Sequence, residues 1–149
     1  MSELSDLYQE VILDHNRRPR HFGTLPAATH AAEGYNPLCG DRLTLQVRVE
    51  DGRIADIAFE GSGCAISKAS ASLMTEAVIG RSQAEAAETF DRVRAMLTAP
   101  SDAEVDVDAM GALAALAGVR EFPVRVKCAT LAWHTLKSAL AGTASAKTE

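Results

Sequence analysis

The sequence has little of several things. No run of about 18 apolar residues occurs, so neither a transmembrane helix nor a membrane partner is expected. Aromatic residues make up 5% of the chain, which leaves few platforms for stacking bases. Basic residues are in deficit, with Lys plus Arg at 15, Asp plus Glu at 20 and a formal charge of −5. That balance argues against nucleic acid as a partner, because phosphate binding needs a basic excess. There is no glycine-rich phosphate loop, no internal repeat and no interdomain linker. The opening Met1-Ser2-Glu3-Leu4-Ser5-Asp6 lacks the basic-then-apolar plan of a signal peptide. A reducing cytoplasm is therefore the expected setting, where cysteines more often bind metal or react than pair. Cysteines number only three, an odd count that gives no fully paired disulfide framework. The 149 residues read as one domain, long enough to bury a core without staples.

What is present alternates between two periods. Leu4, Leu7, Tyr8, Val11 and Ile12 recur at helical spacing and predict an N-terminal helix over 4–16, stopped before Pro19. The basic cluster His15, Arg17, Arg18, Arg20 and His21 suits a helix C-terminus, or else a partner-docking patch. Strict alternation of Leu43, Leu45, Val47 and Val49 with polar residues predicts a half-buried strand. Asp51-Gly52 is a two-residue hairpin turn, and the return strand should bury Ala55, Ile57 and Phe59. A further short strand is expected near Ala32–Asn36. Beyond Gly63 the period is helical again. Ile66, Ala69, Leu73 and Ala77 form one stripe, stopped at Gly80. Ser82-Gln83-Ala84-Glu85 is a capping box that opens a second helix burying Ala86, Phe90, Val93 and Leu97. Asp102, Glu104, Asp106 and Asp108 read as a solvated loop, and Met110, Leu113 and Leu116 as a short helix closed by Gly118. A last helix is expected from about Cys128 to Gly142, and 143–149 as a frayed tail. The order of one helix, two or three strands and then a run of helices indicates an α+β domain, a small antiparallel three-stranded sheet with helices on one face.

The three cysteines fall at element boundaries. Cys39 and Asp41 share the parity of the core-facing row if the strand extends back. Cys64 and Cys128 are expected at helix starts, whose unpaired N–H groups favour thiolate. Converging at one sheet end, Cys39, Asp41, Cys64 and Cys128 would offer three sulfurs and one oxygen, a set that suits tetrahedral Zn²⁺. The competing reading is three buried small hydrophobes, since no Cys-x-x-Cys pair occurs. A zinc site of this kind would carry −2, so a nearby cation is needed. Arg125 is the candidate if it faces the site rather than a solvated loop; Lys68 and Lys127 are also close in sequence. His134 is expected to be a surface or satisfied histidine.

Three motifs in order carry a resemblance. Asn36-Pro37-Leu38-Cys39-Gly40-Asp41, Gly61-Ser62-Gly63-Cys64-Ala65-Ile66-Ser67 and Val126-Lys127-Cys128-Ala129-Thr130-Leu131-Ala132-Trp133 resemble the U-type scaffold proteins of iron–sulfur cluster assembly. The likeness runs from about residue 4 to 141. Lys127 stands where the IscU branch has a histidine, and an extra segment of roughly 95–115 separates the second and third cysteines. Both features resemble the SufU branch. The resemblance implies zinc on Cys39, Asp41, Cys64 and Cys128, and a sulfurtransferase-like carrier that accepts persulfide sulfur from a SufS-type cysteine desulfurase. It implies Cys39 as the acceptor, with Cys128 as rival, freed when a desulfurase histidine replaces it on zinc. Arg125 would hold Cys39 before the partner arrives, and a downstream Suf scaffold complex would receive the sulfur. The alternatives are an IscU-type scaffold holding iron or an Fe–S cluster, and a structural zinc module.

Overall fold

The computed structural model describes residues 3–142 and 145–147. Helix α1 (Glu3–Arg17) leads into strands β1 (His30–Asn36), β2 (Asp41–Glu50) and β3 (Arg53–Ser62). Helices α2 (Ala65–Val78), α3 (Gln83–Thr98) and the single turn α4 (Val107–Met110) follow. A 3₁₀ segment (Gly111–Glu121), helix α5 (Pro123–Leu140) and strand β4 (Ser145–Lys147) complete the order. The architecture is α+β.

The sheet differs in detail from the expected three antiparallel strands. Among the described residues it has four, in the order β3-β2-β1-β4, and β4 pairs parallel to β1. The added strand comes from the segment read as a frayed tail. Sequence gave no sign of it, because a three-residue edge strand is too short to show a period. Residues 143–144 and 148–149 of that tail lie outside the described residues.

In β2 the alternation works as expected: Asp41, Leu43, Leu45 and Val47 are buried while Arg42 and Thr44 are exposed. In β3 it breaks. Arg48 pairs with Asp56 but Val49 pairs with Ile54, so Ala55 is the extra residue of a β-bulge. Ile54 therefore joins Ile57 and Phe59 in the core, and Ala55 is only half-buried. A period-2 reading cannot anticipate an inserted residue.

Helices α2 and α5 lie on the inner sheet face, with α1, α3 and the 3₁₀ segment packed outside them. Gly34 in β1 sets the closeness of α5, since a Cβ there would meet the Thr135 hydroxyl. Trp133 is fully buried between the layers; its ring stacks on Phe90 at 5.9 Å and its Nε1 donates to Ser70 Oγ at 3.3 Å. The capping box of α3 forms both bonds: Ser82 Oγ accepts from Glu85 N, and Glu85 accepts from Ser82 N. The helix expected to close at Gly118 instead continues as 3₁₀ turns to Glu121, and Pro123 opens α5 five residues before Cys128. Of the four acidic residues read as loop, Asp106 caps α4 through Ala109 N. His15 and Arg20 tie the end of α1 to α2. The buried His15 Nδ1 lies 2.7 Å from Ser72 Oγ, which also accepts from Arg20 N at 2.8 Å.

Candidate metal centre

The β1–β2 hairpin turns through Pro37-Leu38-Cys39-Gly40, between the paired residues Asn36 and Asp41. Asn36 folds this turn twice: its backbone oxygen accepts from Gly40 N at 2.8 Å and its Oδ1 from Leu38 N at 3.2 Å. Gly40 sits at φ +73°, a conformation that L side chains seldom adopt. The strand does not extend back to Cys39, as the parity argument supposed. The turn brings Cys39 to the site instead, and leaves it partly exposed.

Asp41 begins β2 on the core-facing row and is fully buried. Its Oδ1 accepts from the backbone N–H of Cys64 at 2.8 Å, and Asn36 Nδ2 lies 3.5 Å from its Oδ2. Neither partner is a cation, so a buried carboxylate here is suited to a positive guest.

Cys64 is the N-cap of α2, and its sulfur accepts from Ser67 N at 3.5 Å. The expected helix-start position holds for this thiol. It does not hold for Cys128, which lies within α5 rather than at its start. Cys128 is fully buried, and its sulfur lies 3.2 Å from that of Cys39. Burial, then the neighbouring Cys39 and Asp41, push the Cys128 thiol well above its ordinary value, opposite to the expected direction.

Because 123–140 is helical, Arg125 and Cys128 share a face one turn apart, which an extended parity could not give. The neighbouring Cys128 side chain and the charges of Cys64, Cys128 and Cys39 raise the Arg125 guanidinium further above its ordinary value. Lys68 turns elsewhere, with Nζ 5.0 Å above the Phe22 ring. His134 is partly buried, with its ring edge-on to Phe90.

Among the described residues, Cys39, Asp41 and Cys128 offer ligand atoms all within 4.8 Å of one another. Cys64 stands outside that trio but reaches Asp41 Oδ2 at 4.0 Å. Two ligands about 2.3 Å from a tetrahedral zinc would lie about 3.8 Å apart, close to these spacings. Three thiols and a buried carboxylate are a donor set that fits such an ion. Asn36, whose Nδ2 also lies 3.5 Å from Cys128 Sγ, was not singled out by sequence reasoning. Its signal was there: in β1 it shares the inward parity of Ala32 and Gly34.

The family described as NifU-like N terminal domain matches residues 7–129. The iron–sulfur cluster assembly scaffold protein IscU of Streptococcus pyogenes is 43% identical over 150 residues, covering 99% of this chain and 91% of that protein. The zinc-dependent sulfurtransferase SufU of Bacillus subtilis is 38% identical over 140 residues, covering 94% and 93%. A crystal structure described as a putative iron–sulfur cluster assembly scaffold protein for the SUF system, from Fervidobacterium islandicum, superposes with a TM-score of 0.81 at 36% identity, covering 94% of this chain and 99% of that one. With that family match over residues 7–129 and relatives of 38–43% identity across nearly the whole chain, the chain belongs to the NifU-like N-terminal domain family, the IscU/SufU type of iron–sulfur cluster assembly protein.

Proposed function

We propose that this protein is a zinc-dependent sulfur acceptor that takes persulfide sulfur from a SufS-type cysteine desulfurase, in the cytoplasm, for iron–sulfur cluster biogenesis. The observation that carries the reading is the contrast between two thiols in contact. Cys39 rides partly exposed on a turn, whereas Cys128 is fully buried in α5. Cys128 cannot meet a partner's persulfide without unfolding the core, and the equally accessible Cys64 is tied to Ser67 N as the cap of α2, so Cys39, on its turn, is the acceptor.

The chain's residues divide the work as follows. Cys39 attacks the outer sulfur of the partner's cysteine persulfide. The partner's S–S bond breaks, its cysteine leaves as thiolate, and Cys39 retains the transferred sulfur. Gly40 gives the turn the freedom to swing, and Arg125 holds negative charge at the cluster until then. Zinc held by Cys39, Asp41, Cys64 and Cys128 would keep the thiols deprotonated and ordered. Leu38, Phe122 and Val124, all exposed apolar side chains beside these residues in sequence, are the surface on which the desulfurase docks.

Desulfurase turnover with and without this protein, and after zinc chelation, tests the reading. Stimulation that chelation abolishes is expected. Stimulation by a Cys39→Ser variant that still becomes persulfidated would overturn the acceptor assignment. The IscU relative at 43% identity supports a second reading, a scaffold that carries an Fe–S cluster. Protein purified without air distinguishes them: colourless with stoichiometric zinc, or brown with iron and sulfide. No stimulation at all, with zinc present, would leave a structural zinc module.

A further inference from the structure

Three cysteines allow three disulfide pairings, and the fold brings only one pair into contact. The Cys39 and Cys128 sulfurs lie 3.2 Å apart, and all three thiols are free. Cys64 is held away from that pair by its role as cap of α2, with its sulfur on Ser67 N. One partner of the close pair rides a four-residue turn with Gly40 at φ +73°, and the other is anchored in the rigid interior of α5. A disulfide needs sulfurs about 2.05 Å apart, so the turn has to move by little more than 1 Å.

We propose that Cys39 and Cys128 form a reversible intramolecular disulfide under peroxide, leaving Cys64 as the single remaining thiol. In the first step the exposed Cys39 sulfur attacks one peroxide oxygen, the O–O bond breaks, and Cys39 becomes a sulfenic acid with loss of hydroxide. Cys128, buried behind it as a thiol, then attacks that sulfur and gives its proton to the departing oxygen. The S–O bond breaks, the S–S bond forms, and the oxygen leaves as water. In sum two thiols are oxidised by two electrons and one peroxide is reduced to two waters. The product removes two sulfurs from the candidate ligand set and leaves Asp41 with Cys64. The disulfide is thus a second state of the centre that holds no metal, and it shields Cys39 from irreversible oxidation. The proposal stands on the two thiols alone, so it holds or fails independently of the sulfur-transfer reading.

Trypsin separates the three cysteines into the peptides 21–42, 54–68 and 128–137. The full chain, with its metal content measured, is titrated with hydrogen peroxide, alkylated and mapped by mass spectrometry. Peptides 21–42 and 128–137 are expected to appear linked, two hydrogens lighter than their sum, with peptide 54–68 alkylated. Free thiols should fall from three to one and return with dithiothreitol. Zinc present at the start should appear in solution in step with the link, read with a chromogenic chelator. Affinity for added zinc should fall by more than the ~100-fold that loss of an outer-shell partner costs. A Cys64→Ser variant keeps an N-cap oxygen for α2 and should still form the link. Links that involve peptide 54–68 would overturn the proposal. So would Cys39 driven to sulfinic acid while Cys128 stays a thiol, or loss of the link in Cys64→Ser.

Discussion

Gly63 leaves the space that the Asp41 carboxylate fills. A Cβ at position 63 would collide with Asp41 Oδ1, and the residue's φ of +151° belongs to glycine besides. Gly63→Ala therefore both strains the loop and displaces a candidate ligand. A stability loss of about 1–3 kcal/mol is expected. Denaturant unfolding should read it, along with weaker metal retention in a chelator competition.

Asn36 touches two members of the cluster and holds the turn that carries the third. Asn36→Ala should weaken metal retention by about 10–100-fold, the range for lost outer-shell partners. The same variant leaves Leu38 N and Asp41 Oδ2 short of a partner, at about 1–3 kcal/mol. If affinity for zinc, measured by competition, is unchanged while the melting temperature drops, Asn36 serves the turn alone.

A distant substitution provides the contrast. Ser82→Ala removes the capping box of α3, far in sequence from every cluster residue. It should lower stability by about 1 kcal/mol and leave metal content untouched.

Two histidines make stability depend on pH. Burial lowers His15 below its ordinary value of 6.5, and burial does the same to His134. Arg20 adds to the shift at His15, while Glu76 and Asp14 oppose it. The unfolded chain binds these protons more readily than the folded one. Stability is therefore highest above pH 6.5, falls as pH drops through 6.5 towards the folded values, and levels off below them. Melting temperatures across that window should show the slope in the wild type and a shallower one in His15→Gln.

Val124 is exposed one turn before Cys128, and its Cβ faces no core. Val124→Glu should change stability by no more than about 0.5 kcal/mol. On the docking proposal it should raise the concentration for half-maximal desulfurase stimulation by about tenfold. An unchanged half-maximal concentration, with a matching result for Leu38→Glu, would remove this surface from the docking proposal.

Much of this was legible in one dimension because local patterns reflect local physics. The alternation in 43–49, the Asp51-Gly52 turn and the Ser82–Glu85 capping box each involve residues within a few positions of one another. Their structures follow from strand pleat, turn chemistry and N–H satisfaction. The β3 bulge, the strand β4 and the run of 3₁₀ turns to Glu121 were not legible, since each answers to packing or pairing with distant chain.

The candidate centre divides along the same line. Sequence by itself determined the candidate donors, Cys39, Asp41, Cys64 and Cys128, and the helix-start position of Cys64. Residue type fixes ligand chemistry, and two glycines before a helix mark its start. Tertiary structure alone decided that Cys39 and Cys128 touch, that Cys128 is buried within its helix, and that Asn36 joins them. Those facts depend on α5 crossing over the end of the β1–β2 hairpin, a contact between segments some ninety residues apart that no local periodicity encodes.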